Sequence, residues 1–145
     1  MAANTLRGGC HCGALEVEFH TDLATGDIAV RACQCSFCRT HGALSISDPK
    51  GAVTFRVHAS EALVRYRFGL KLADFLLCNR CGGYVGAFMS EDGERGLAVV
   101  NINAFAERDR FGAPRAMTYD AESVEQRLAR RNERWMPARV ETGAR

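Results

Sequence analysis

A mostly β domain of two small packed sheets, followed by one late helix, is the fold class that this sequence predicts. Three observations lead there: short segments in which apolar and polar residues alternate, turn residues between them, and a single stretch of helical period. The 145 residues are about one domain's length, read here as a single unit 1–145 that is long enough to bury a core without staples.

The segments can be justified in order. ALEVEFH, residues 14–20, alternates as a half-buried strand does. IAVRAC (28–33), ALSIS (43–47), VTFRV (53–57) and LVRYRF (63–68) read as further strands. ADFLLC (73–78), YVGAFM (84–89) and LAVVNINAF (97–105) complete the set of seven or eight. Breaks fall at Thr25-Gly26, Pro49, Gly51, Gly69 and Gly93. The helix is expected over about 120–135, DAESVEQRLARRNERW, capped by Asp120, with Val124, Leu128, Arg131 and Trp135 along one side. Arg127, Arg130, Arg131 and Arg134 are diluted by Glu122, Glu125 and Glu133, and read as a solvated face. Residues 1–6 and 138–145 read as loose ends.

Composition narrows the function. A content of 47% hydrophobic and 25% charged residues is that of an ordinary globular protein. The formal charge of +2 is too small to argue for nucleic acid or an acidic membrane surface as partner. No run approaches the roughly 18 apolar residues of a membrane span, and MAANTLRGGCHCG lacks a signal peptide's apolar centre. The chain therefore reads as cytoplasmic, where thiols stay reduced.

Seven cysteines are many for such a chain, and the odd number leaves one over from any pure disulfide framework. They fall in three tight groups: Cys10 and Cys12; Cys33, Cys35 and Cys38; Cys78 and Cys81. Spacings this close disfavour disulfides within a group and suit a metal, on which neighbouring thiolates converge at about 2.3 Å. CNRCGG, residues 78–83, has the form of a zinc knuckle, in which Gly82 and Gly83 permit a tight turn. CHCG, residues 10–13, is a shorter version with Gly13 in the matching place. Two halves make one closed four-thiolate site from Cys10, Cys12, Cys78 and Cys81. The trio is left with three ligands and a vacant fourth position, the arrangement of a catalytic zinc.

Other readings of the trio stay open. Cys35 and Cys38 are spaced as a redox pair, although the βαβ context such a pair expects is missing. The three can be buried bystander thiols beside a single metal site. A histidine, His11, His20, His41 or His58, can close the second site, and His41 is the nearest in sequence. Iron accepts four sulfurs as zinc does, and thiolate softness favours zinc.

GGCHCGALEVEF, CQCSFCRTHGAL and LCNRCGGYVGAF, in that order, resemble the family of glutathione-dependent formaldehyde-activating enzymes, which includes centromere protein V. The resemblance runs from about Gly8 to Phe105 and keeps all seven cysteines. It implies a β-tent fold, a structural zinc on Cys10, Cys12, Cys78 and Cys81, and a labile catalytic zinc on Cys33, Cys35 and Cys38. The implied activity is that of a carbon-sulfur lyase, joining glutathione and formaldehyde to give S-hydroxymethylglutathione. A non-catalytic zinc-stabilised binding module, as in the family's chromatin-associated branch, is the alternative.

Three thiolates leave a zinc ion with net charge near −1, a poorer Lewis acid than zinc on neutral histidines. Water activation is the weaker expectation, and capture of a substrate thiol beside an aldehyde the stronger. Arg39, His41 and Asp48 lie near the trio in sequence without a spacing that fixes an acid or base. Arg39, Arg65, Arg67 and Arg80 are candidates to grip glutathione's carboxylates.

Overall fold

The computed structural model describes residues 4–142. Its first strands are β1 (Asn4–Gly9), β2 (Leu15–Thr21) and β3 (Val30–Cys33), followed by a short helix α1 (Ser36–His41) and then β4 (Ser45–Ile46). Next come β5 (Ala52–Val57), β6 (Leu63–Tyr66), β7 (Asp74–Cys78), β8 (Tyr84–Ser90) and β9 (Arg95–Asn101). The chain closes with β10 (Pro114–Met117), α2 (Val124–Arg134) and β11 (Met136–Thr142). The mostly β class and the late helix are as expected, and each alternating segment carries a strand.

The strands are joined by hydrogen bonds into one network instead of two separate sheets. Strand β9 is the junction. One edge pairs with β8 from Gly96 to Val100, and β8 leads on to β7 and β6. The other edge is divided: Arg95–Ala98 pairs with β11, and Val100 and Asn101 pair with β4. From β11 the sheet continues through β5 and β2 to β1; from β4 it continues through β3 to β10. Two pairings, β11 with β5 and β10 with β3, are parallel, which requires long connections between the strands.

The side chains behind the alternation form the core. Leu15, Val17 and Phe19 of β2 pack with Val53, Phe55 and Val57 of β5, and Met136, Ala138 and Val140 of β11 complete the layer. Phe19 and Phe88 are fully buried, each contributing about 2–3 kcal/mol by removal from water.

Three expectations are corrected. The ends at 4–6 and 138–142 are paired strands, because Leu6, Ala138 and Val140 enter the core; residues 1–3 and 143–145 lie outside the described residues. The helix begins at Val124, not at 120, and Ser123 caps it instead of Asp120. Ser123 Oγ accepts from Gln126 N at 3.1 Å while Gln126 Oε1 accepts from Ser123 N at 2.9 Å, a reciprocal cap that Asp120 has no partner to build. No helix among the described residues is long and apolar enough to cross a membrane.

Glu18 is the main charge inside the β2–β5 surface. Its carboxylate accepts hydrogen bonds from Arg56 and, at 3.3 Å, from Arg7, with His20 at 3.1 Å. The bond from Arg56 holds its pKa below the ordinary 4.5, against the opposing effect of burial. Stability from this group is present above pH 4.5 and is lost as pH falls through the depressed folded value. Glu18→Gln is therefore expected to cost about 1.5–3 kcal/mol at pH 7. Urea unfolding of both proteins checks this: the difference should shrink as pH falls below the glutamate range, and a difference independent of pH would refute it.

Candidate functional site

Two groups of sulfurs converge. Those of Cys10, Cys12, Cys78 and Cys81 lie within 4.8 Å of one another, and so do those of Cys33, Cys35 and Cys38. Within the first group Cys10 and Cys12 are 3.8 Å apart and Cys12 and Cys78 are 3.5 Å apart. A tetrahedron with zinc–sulfur bonds of about 2.3 Å has edges near ~3.8 Å, so four sulfurs at these separations suit that ion. Both groups are able to hold a metal.

The four-sulfur group is built from two turns. In the first, Cys10 N donates to Leu15 O at 3.0 Å, and Leu15 N donates to Cys10 Sγ at 3.3 Å. In the second, Gly82 N donates to Cys78 O at 2.8 Å, and Arg80 N donates to Cys78 Sγ at 3.4 Å. Gly13 and Gly82 have φ of +85° and +79°, as the knuckle pattern requires. Gly83 serves differently: a Cβ there would sit 3.0 Å from Cys10 Cβ, so its smallness lets the two turns meet. Burial pushes the Cys10 thiol up to about 11. Cys81 falls to about 6 because backbone N–H groups of Cys12 and Gly83 outweigh its burial.

The trio is local. Cys33 ends β3, Cys35 caps α1 with its sulfur accepting from Cys38 N at 3.4 Å, and Cys38 is buried in that helix. Gly42 closes α1 at φ +58°. Phe37 anchors the helix among Phe68, Phe75 and Tyr84, with ring centroids 4.8–5.4 Å away. Asn101 fixes the same corner: it donates to Tyr84 O at 3.0 Å and accepts from Leu44 N at 3.2 Å. No histidine joins the trio. His41 Nδ1 is at 3.0 Å from Phe37 O, while His20 and His58 face Glu18 and Glu16.

A cavity of about 320 Å³ opens beside the three sulfurs. Its floor is one rung of the sheet, Phe75 on β7, Ala87 on β8 and Val99 on β9, which are cross-strand partners. Val99 lies where the outer edge of β9 passes from β11 to β4. Phe68, Leu70, Leu72 and Trp135 add apolar walls. Arg31, Arg127, Arg130 and Arg131 form the remaining side.

Arg127, Arg130 and Arg131 face inward, which corrects their reading as a solvated face, whereas Arg134 is exposed as that reading expects. Glu122 accepts from Arg127 at 3.3 Å and from Arg130 at 2.7 and 3.0 Å, and the Arg130 guanidinium lies 3.6 Å from the Tyr119 ring centroid. Arg131 stacks on Trp135 at 4.5 Å. A signal was present in the sequence, since Arg127 and Arg131 precede Trp135 at intervals of four, on one helix face. The arginines that seemed suited to carboxylates are engaged elsewhere. Arg65 and Arg67 bond Asp74 at 3.1 and 2.5 Å, Arg80 bonds Glu61 at 2.5 Å, and Arg39 is exposed outside the cavity. Asp48 is held by Thr21 at 2.6 Å, so neither it nor His41 stands as an acid or base at the trio.

The sequence matches the model of the glutathione-dependent formaldehyde-activating enzyme family over residues 5–122. The chain belongs to that family. A crystal structure of a Rhodobacter sphaeroides protein is 30% identical, with a TM-score of 0.57, over 77% of this chain and 100% of that one. Family membership connects the site generally with glutathione-dependent formaldehyde activation. The matched span holds all seven cysteines and ends before α2, so Arg127, Arg130, Arg131 and Trp135 are outside it.

The trio titrates as a set. Hydrogen bonding from Cys38 draws Cys33 down to about 6, whereas Cys38, donating to it and buried, is raised. After metal removal, iodoacetamide at pH 7 is expected to modify Cys33 and Cys81 first and Cys38 last, because thiolate is the reactive form. The rates at Cys33 and Cys81 should rise as pH passes upward through about 6. Peptide mass spectrometry over a pH series checks the order, and equal labelling of Cys33 and Cys38 would refute it.

Proposed function

We propose that this chain is a zinc-dependent carbon-sulfur lyase that joins a thiol to an aldehyde, glutathione and formaldehyde in the family's founding pair, within the cavity beside Cys33, Cys35 and Cys38. The observation that carries the proposal is the contrast between the two sulfur groups. Four sulfurs, enough for a closed zinc site, converge outside the cavity, while three line the cavity with no fourth metal-ligating side chain grouped with them among the described residues. On this reading Cys10, Cys12, Cys78 and Cys81 hold a structural zinc, and Cys33, Cys35 and Cys38 hold a labile catalytic one. The unit 1–145 then acts as one zinc-binding domain, with α2 as an extension over the site.

Zinc at the trio supplies a soft electrophilic position for a substrate sulfur or the carbonyl oxygen. The chain's own groups do the rest. In the forward reaction a carbon–sulfur bond forms between the thiol and the carbonyl carbon, the carbonyl π bond opens, and the thiol proton ends on the new hydroxyl. The apolar walls limit water, which favours adduct formation over hydration of the aldehyde. Burial holds Tyr84 in its neutral form, so it brings no further negative charge to the sulfurs. The cationic wall draws an anionic thiol substrate toward them.

The alternative, a zinc-stabilised binding module, draws less support. Three of the helix arginines that would serve an anionic surface line the cavity instead, two of them on Glu122.

Cys35→Ser is expected to lower adduct formation from glutathione and formaldehyde by about 100-fold or more, followed by NMR, while far-UV circular dichroism stays unchanged. Undiminished turnover in this variant, or hydrolysis of esters with no thiol requirement, would overturn the proposal. Mass spectrometry of the purified protein is expected to give two zinc ions per chain, one lost with activity under mild chelation. Cys78→Ser should differ, losing the retained ion and the fold together.

A further inference from the structure

We infer that the arginine side of the cavity is a carboxylate subsite, and that the substrate brought to Cys33, Cys35 and Cys38 carries its carboxylate on a small apolar body. The inference deepens the proposed function and rests on the same cavity being the reaction site. Three of the subsite's arginines come from α2, outside the residues that match the family, and Arg31 comes from β3, inside them.

The four arginines are not equivalent. Arg127 and Arg130 are already matched by Glu122 at 2.7–3.3 Å. Arg31 donates to the neutral Ser47 Oγ at 2.7 Å, a dipole and not a counter-charge. Arg131 has neither: it is 9% exposed, and its Nε and Nη1 have no hydrogen-bond partner. A buried, unpaired guanidinium is costly, and such a group persists where something else supplies the compensation. Desolvation lowers its pKa to about 10, with Arg130 and Arg127 adding to the effect and the more distant charge of Glu122 opposing it.

Shape and polarity select among anions. Arg131 Cζ lies over the Trp135 ring at 4.5 Å from its centroid, and Phe68, Leu70, Phe75 and Val99 line the same space. A bare oxyanion would gain the charge and leave these surfaces wet. An organic acid satisfies both, since guanidinium pairs with carboxylate and the apolar body covers the walls. Among the described residues Asp120 is the single carboxylate lining the cavity.

Trp135 is the chain's only tryptophan and touches the critical arginine, so its emission reports the subsite directly. The intact purified protein would be titrated with benzoate, benzamide, acetate and inorganic phosphate, following Trp135 fluorescence and calorimetry. Benzoate is expected to bind about ten- to a hundred-fold more tightly than its neutral isostere benzamide. It should also bind more tightly than acetate or phosphate. Arg131→Gln should abolish the preference for benzoate over benzamide, and Arg31→Gln should reduce it. Equal binding of benzoate and benzamide by the wild type would overturn the inference without any variant, as would an unchanged preference in Arg131→Gln. Equal or tighter binding of phosphate or acetate would overturn it too, by making the site a bare anion hole. None of the probes contains sulfur, so failure here is distinct from failure of the thiol reaction, which the turnover assay reads.

Discussion

The division of one strand edge governs this molecule. β9 is hydrogen-bonded along both sides, and on one side it changes partner at Val99, from β11 to β4. A single strand cannot supply both ladders at the same residue, so the two partners diverge and the sheet opens there. The space that results is floored by Phe75, Ala87 and Val99, and α2 leads directly into β11 at its margin. The β4 arm carries β3, whose last residue is Cys33. The β11 arm is preceded by Trp135 and the inward arginines. The sulfurs and Arg31 thus reach the cavity from one branch, and the α2 arginines and Trp135 from the other.

The two sulfur groups are placed differently in this architecture. Cys12 and Cys78 are 66 residues apart, so a metal on the four-sulfur site would tie the β1–β2 turn to the β7–β8 turn and remove much of the unfolded chain's freedom. The trio spans six residues on one short helix and its approach. A metal there would close almost no loop, so its loss leaves the long-range connections intact. Phe37 and Asn101 already hold α1 in place by ring packing and hydrogen bonds. A local, independently supported ligand set is one that can exchange its fourth ligand without unfolding the domain.

Much of this was legible in the sequence, and the gaps have physical reasons. Period-two alternation marked β2, and short apolar stretches bounded by turn residues marked β3 through β9. β10, PRAM, buries almost nothing and lies at the sheet's edge, so no hydrophobic signal exists to find. β1 has only Leu6 fully inside, with Gly8 and Gly9 obscuring the rest. β11 does alternate, at Met136, Ala138 and Val140, but its proline and terminal position resembled a tail. α1 is too short for a period to show, and Cys35 Sγ caps it where an oxygen is the usual signal. The seven cysteines were legible because ligand geometry is encoded in local spacing. The inward arginines were legible only in their spacing from Trp135, since charge on a helix usually marks its wet side.

Charge balance decides how the cavity can combine its two unlike walls. Thiolates beside cations form an attractive pair, and Arg130 contributes to lowering Cys33. If every arginine were matched in this way, the cavity would be electrically closed and an anionic substrate would gain nothing by entering. Glu122 prevents that by neutralising Arg127 and Arg130 from behind, leaving them rigid and leaving Arg131 as the buried cation without a carboxylate partner. An entering carboxylate then meets an uncompensated guanidinium on an apolar bed, and the sulfurs occupy another part of the same cavity. Binding energy gained at the anion end can orient the other end of the substrate at the trio, because the two are fixed by different arms of one sheet. On the proposed reading, α2 would then contribute most of the selectivity, while all seven cysteines lie in the span shared with the family.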